Sequence, residues 1–151
     1  MSDLTFTVVG HSETAARTTV RARDFRFVVD EPPALGGEDR GANPVEYLLG
    51  SFVGCVNVVA HLVAKERDLP IEHLEIEATG ALDPARLFGE RTGSRAGFKG
   101  IALTFRIQTS ASDAAVAAWL AEVEARCPVN DNLSNVTPVE LRTQVARTGT
   151  E

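Results

Sequence analysis

The sequence predicts an α+β fold built on a mostly antiparallel sheet. Three observations carry that expectation. Strand-like alternation comes in clusters, at the start of the chain and again between residues 74 and 107, instead of alternating regularly with helices. A long apolar run, GSFVGCVNVVAHL, follows a complete helix-start signal. A second amphipathic run ends at Cys127-Pro128. The predicted order is strand, strand, strand, helix, strand, strand, helix, strand (βββαββαβ), in a single domain over residues 1–151.

Each element has its own signature. Leu4, Phe6 and Val8 alternate with polar neighbours, and HSETAA reads as a turn or loop. A second strand centres on Val20. The third carries Phe25, Phe27 and Val29 on one face. The phase of the pattern changes between Ala22 and Phe25, which places a tight turn at Arg23-Asp24. DEPPALGGEDRGANP is a long connection rich in Pro and Gly. Asn43 then serves as N-cap, Pro44 as first helical residue and Glu46 as the third-position partner of a capping box. From there Leu48, Phe52, Cys55, Val59 and Leu62 recur at steps of four and three, the buried stripe of a helix running to about Arg67. Gly50 and Gly54 lie one turn apart and admit another backbone closely. Leu74, Ile76 and Ala78 make a half-exposed strand, and Ile101, Leu103, Phe105 and Ile107 make the next. Between them lies a loop of about twenty residues with a helical turn at Pro84 to Leu87; a loop of that length inside a compact domain is commonly functional. Ser112 caps the second helix, whose apolar side carries Val116, Trp119, Leu120 and Val123. A last strand is predicted from Val139 to Val145.

Composition narrows the function. A hydrophobic content of 44% with 24% charged residues describes a globular chain. The net charge of −6 argues against nucleic acid or an anionic membrane as partner, because phosphate binding needs clustered cations. The opening residues form no charged segment followed by an apolar one, and the longest apolar stretch is broken by Gly, Ser, Asn and His. A cytoplasmic location is the expectation. There, two cysteines are more often reactive, metal-bound or inert than a permanent cross-link.

Cys55 and Cys127 are the only soft nucleophiles. Each alone is readily a small buried hydrophobe. Together they suit redox chemistry, since a lone oxidised thiol drifts to irreversible acids unless a second thiol resolves it. Burial in an apolar stripe raises the pKa of Cys55, so reactivity requires a cation from elsewhere in the fold. His61 stands six residues from Cys55, too far around the helix to pair with it. No C-x-x-C or H-E-x-x-H spacing is present, and neither a metal nor an organic cofactor is expected. Glu46 reads as a helix cap or as partner to an arginine that reaches the thiolate. Arg17, Arg21, Arg23 and Arg40 are the nearest candidates in the N-terminal part.

DEPPALGGEDRGANPVEYLLGSFVGC, followed at a distance by EARCPV, resembles the OsmC/Ohr family of peroxide-reducing proteins. The resemblance covers nearly the whole chain: the N-terminal hairpins, the G-x-N-P entry to the long helix, its Gly-Cys, and a second helix ending in Cys-Pro-Val. It implies an intertwined homodimer with the long helices packed centrally and the sites at the subunit interface. It makes Cys55 the peroxidatic thiol and Cys127 the resolving one. It matches Arg17, with Arg21 behind it, to the activating cation. The family's carboxylate directly follows the N-P pair; here Val45 holds that place and Glu46 comes one residue later, turned by about 100° on a helix. The implied activity is reduction of alkyl or fatty-acid hydroperoxides, with an external dithiol, a lipoylated protein or a small thiol, closing the cycle. Two other readings compete. One is a dimeric module binding an apolar small molecule with spectator thiols. The other is a cysteine hydrolase, which needs a histidine base that no position supplies.

Overall fold

The computed structural model describes residues 2–147. Three strands come first: β1 (Val9–Ser12), β2 (Thr18–Ala22) and β3 (Phe25–Val29), an antiparallel sheet in chain order. The β2–β3 turn falls at Arg23-Asp24, where Arg23 takes a positive φ of 57°, as the phase change predicts. A second antiparallel pair, β4 (His73–Ala81) and β5 (Gly100–Gln108), is joined by the long loop, which carries a 3-10 turn at Pro84–Arg86. Between the sheets in sequence runs α1 (Pro44–Glu66), and after them α2 (Asp113–Arg126) and α3 (Pro128–Ser134). The fold is α+β with antiparallel sheets.

The capping box forms as expected. Asn43 accepts from the Glu46 amide at 2.9 Å, and the Glu46 carboxylate accepts from the Asn43 amide at 2.8 Å. The core lies where α1 meets α2 and the inner face of β4–β5. Phe52, Val56, Val59, Ala60, Val63 and Ala64 form the buried stripe of α1 and meet Trp119, Val123 and Cys127, spaced every four residues along α2. Leu74, Ile76, Leu103, Phe105 and Ile107 cover them from the sheet, while Glu75, Glu77 and Arg106 face outward as an ion-paired set. The Trp119 indole donates to the Ala60 carbonyl at 2.9 Å and meets the Phe105 ring edge-on. Outside this core, Arg126 holds Glu66 and Glu122, and Arg67 holds Glu122. Exposed pairs of this kind contribute about 0.2–1 kcal/mol each, a small part of what holds the fold.

Three expectations are corrected. The buried stripe of α1 is rotated from the predicted one: Leu48 and Leu62 are exposed. The helix is apolar on more than one face, so periodicity alone does not say which face packs within the chain. That is also why α1 is long and apolar enough to cross a membrane by length and composition, although one of its faces belongs to the core. Second, the opening strand is displaced: Leu4, Phe6 and Val8 precede β1 and are exposed, because β2 pairs with residues 9–12 instead. Third, residues 139–145 form no strand, and Val139, Leu141 and Val145 are exposed. Alternation becomes a strand only where the run pairs with a neighbouring edge, and among the described residues neither run does. A short helix, α3, stands where Cys-Pro read as an end. Pro128 occupies its first position, and Cys127 closes α2 and caps α3 at once.

Candidate active site

Cys55 and Cys127, 72 residues apart in sequence, lie with their sulfurs 3.3 Å apart. Two helices produce this contact. Cys55 lies at the margin of the α1 stripe and is half-buried, while Cys127 ends α2 and is fully buried. Both thiols are free, and Cys127 donates to Cys55. The opening of α3 supplies further polar contact. The Asn130 amide donates to the Cys127 sulfur at 3.4 Å, and the Val129 amide approaches Cys55. Burial pushes the Cys55 thiol above its ordinary pKa, the neighbouring Cys127 adds to the rise, and the Val129 amide partly opposes it. Within one chain no cation figures among these influences.

Cys127, the inner member of the pair, lines a largely apolar cavity of about 270 Å³. Phe52, Val56, Leu103, Phe105 and Leu120 wall it, with Cys127, Asn130 and Glu124 contributing the polar atoms. A second cavity of about 310 Å³ lies beneath the loop before β5. Among the described residues, no three His, Cys, Asp or Glu side chains converge as a metal-ligand set.

The remaining candidates sit elsewhere. Arg17 precedes β2 and is gripped by two carboxylates, Glu13 at 2.9 Å and Glu38 at 2.8 Å, which raise its pKa. Glu46 engages Asn43 rather than Arg17, so within the chain the structure does not bring Arg17 and Glu46 together. Arg21 is exposed on β2, opposite Arg26 of β3. Sequence reasoning missed Glu13 and Glu38 as the partners of Arg17. It also missed Asp30, a buried residue that organises the loop carrying Glu38. Burial alone would raise the Asp30 carboxyl, but the amides of Arg40, Glu31 and Glu38 donate to it and hold it below the usual range. The signal available was the DEPPALGGEDRG stretch, whose glycines permit a tight loop around one carboxylate. Gly37 is one of these; a side chain there would strike the Glu31 carbonyl.

The cap role of Glu46 is separable from any catalytic one. Glu46→Gln keeps an acceptor for the Asn43 amide and is expected to melt as wild type does, whereas Glu46→Ala is expected to lose about 0.5–1 kcal/mol. Thermal melts of the two variants check this; a Gln variant as unstable as the Ala variant would show that the charge, not the hydrogen bond, holds the helix start.

Comparison with known proteins places the fold. A protein-family profile described as OsmC-like protein matches residues 36–142. Curated proteins give no match. Among solved structures, an OsmC-like protein from Mycoplasma pneumoniae superposes with a TM-score of 0.77 at 21% identity, covering 89% of this chain and 91% of that one. An organic hydroperoxide resistance protein OsmC from Legionella pneumophila gives a TM-score of 0.67 at 21% identity, over 88% and 91% of the two chains. An organic hydroperoxide resistance protein from Elizabethkingia anophelis gives 0.68 at 16% identity, over 87% and 89%. The antiparallel sheets and the long capped helix are thus a shared fold, and the profile match spans both helices that carry the thiols. The chain belongs to the OsmC-like protein family.

Proposed function

We propose that the protein is a thiol-dependent peroxidase that reduces organic hydroperoxides to alcohols. The observation that carries this reading is the pair of free thiols 3.3 Å apart beside an apolar cavity. The Cys55 thiolate attacks the outer oxygen of the hydroperoxide; the O–O bond breaks, the alkoxide takes a proton and leaves as alcohol, and Cys55 becomes a sulfenic acid. The Cys127 thiol then attacks that sulfur, water leaves, and a disulfide forms. An external dithiol, such as a lipoylated protein, returns both thiols by exchange while itself becoming oxidised. Such a cycle suits the cytoplasm, where dithiols are kept reduced.

The raised pKa of Cys55 is the obstacle, and a second copy of the chain resolves it. The face of α1 that carries Gly50, Gly54, Val58 and Leu62 is exposed, and both glycines have open space above them. The apolar runs Leu4–Val8 and Val136–Val145 are likewise uncovered. A homodimer that packs the α1 faces together covers this surface, and Arg17 of one copy, held by Glu13 and Glu38, then serves as the cation for Cys55 of the other. Glu46 in this arrangement acts as the helix cap.

The raised Cys55 pKa also favours a second reading, a dimer that binds an apolar small molecule while its thiols stay inert. One measurement separates the two. Thiols are counted before and after one equivalent of cumene hydroperoxide, and mass spectrometry then looks for a Cys55–Cys127 linkage. Loss of both thiols with that disulfide, faster than with hydrogen peroxide, is the expected result. Thiols that stay reduced would leave the binding protein.

A further inference from the structure

We propose that Arg95 and Lys99 select hydroperoxides that carry a carboxylate at the far end of the chain from the reacting oxygen. The inference rests on the peroxidase reading and adds to it a specificity device in the loop before β5. The two cavities are continuous in their walls: Phe52, Ile101 and Asn130 line both. The two cavities are neighbours, the first reaching Cys127 and the second lying under the loop, and an extended ligand lying across these shared walls would span a site of the usual size for small molecules, about 300–1,000 Å³.

The charges along this span are sorted by end. Apart from the thiol itself, Glu124 is the only ionisable group lining the first cavity among the described residues. Among the described residues the ionisable groups lining the second are Arg95 and Lys99, set among Leu48, Leu82, Phe98 and Leu133. The Arg95 guanidinium lies over Gly97. Among the described residues neither cation makes an ion pair. Asp83 is close enough to feel Lys99, but its carboxylate is taken up first by the Ala85 amide and the Ser94 hydroxyl. In a chain of net charge −6, two cations without ion-pair partners on an apolar cavity form a local attractor for anions. Glu124 at the thiol end repels the same anion. An amphipathic acid therefore enters with its carboxylate at Arg95 and Lys99 and its apolar hydroperoxide-bearing segment toward Cys127, whose sulfur is 3.3 Å from that of Cys55.

The test compares wild type with the double variant Arg95→Gln/Lys99→Gln on three substrates: linoleic acid hydroperoxide, its methyl ester and cumene hydroperoxide. The variant is expected to lose about tenfold in kcat/KM on the free acid, the scale of two exposed charge contacts together. Both neutral substrates should stay within about twofold of wild type. Added salt should shrink the preference of wild type for acid over ester. A variant that turns over the acid as well as wild type, with cumene hydroperoxide turnover intact, would overturn the inference and leave the peroxidase reading standing. If no hydroperoxide is reduced at all, the peroxidase reading fails on its own. Calorimetric binding of linoleate against methyl linoleate then decides the cation site separately: an acid preference lost in the double variant supports it, and equal or absent binding refutes it.

Discussion

Cys127→Ser is expected to bring multiple turnover of organic hydroperoxide down to the level seen without protein while leaving the fold intact. The two effects separate because Cys127 has two jobs. In the proposed cycle its sulfur, 3.3 Å from Cys55, is the group that would condense with a sulfenic acid. As the N-cap of α3 it accepts a hydrogen bond from the Asn130 amide. Serine cannot do the first and does the second better than cysteine, since hydroxyl oxygens rank among the best N-cap acceptors. The variant should therefore react once, stop at a Cys55 sulfenic acid that dimedone traps, and pass with excess oxidant to the sulfinic acid. Cys55→Ser should not react even once. Peroxide consumption coupled to a dithiol, together with intact mass after dimedone, reads all of these. Sustained turnover by Cys127→Ser at the wild-type rate would remove Cys127 from the mechanism.

Trp119→Ala is expected to be the most damaging single change to stability, by about 3–5 kcal/mol. The indole is fully buried between α1 and β5, packs edge-on to Phe105 and donates its N–H to the Ala60 carbonyl. Truncation removes the largest buried side chain of the core and leaves a hole between α1 and α2. Against the roughly 5–15 kcal/mol that holds a typical domain, this is a large fraction. Trp119→Phe fills most of the space but loses the hydrogen bond, and should lose a smaller amount, about 1 kcal/mol from the bond itself. Trp119 is the only tryptophan, so circular dichroism in urea is the appropriate probe. An alanine variant with a wild-type midpoint would mean that α2 is held by its ion pairs instead. The change should also slow disulfide formation, because Trp119 lies two turns before Cys127 and sets where that sulfur sits.

Local signals in the sequence translated well where they close on themselves. The Asn43–Glu46 box, the Arg23-Asp24 turn, the Ser112 cap and the alternation of β4 and β5 each involve neighbours within a few residues or one hairpin, and each is present. The fold class follows from them. What sequence left open are features decided by long-range partners. The face of α1 that becomes core depends on Trp119 and Val123, more than fifty residues away. The runs at Leu4–Val8 and Val139–Val145 have the alternation of strands but pair with no strand among the described residues. Cys127-Pro128 read as a stop because proline ends helices as readily as it begins them.

The candidate site divides along the same line. Two cysteines were legible as a pair by their chemistry, and the structure sets them in contact. The partners of Arg17 were not legible: Glu13 lies across a loop and Glu38 lies in a segment folded around Asp30. No periodic pattern marks either one. Glu46 was visible in two roles, and its hydrogen bonds within the chain belong to the cap.

The sequence distance between the two thiols has a thermodynamic consequence. Joining residues 72 positions apart would close a long loop in the unfolded chain, and the lost freedom of that chain is worth about 4 kcal/mol to the folded state. Every catalytic cycle would then alternate between a hard-to-melt oxidised form and a softer reduced one. By linkage, only an interaction that differs between the two forms moves this balance: one that favours the oxidised fold makes the disulfide harder to reduce, and one that favours the reduced fold makes reduction easier. In the proposed cycle, the stability gap between the two forms and the redox poise of the pair would be two readings of one free energy.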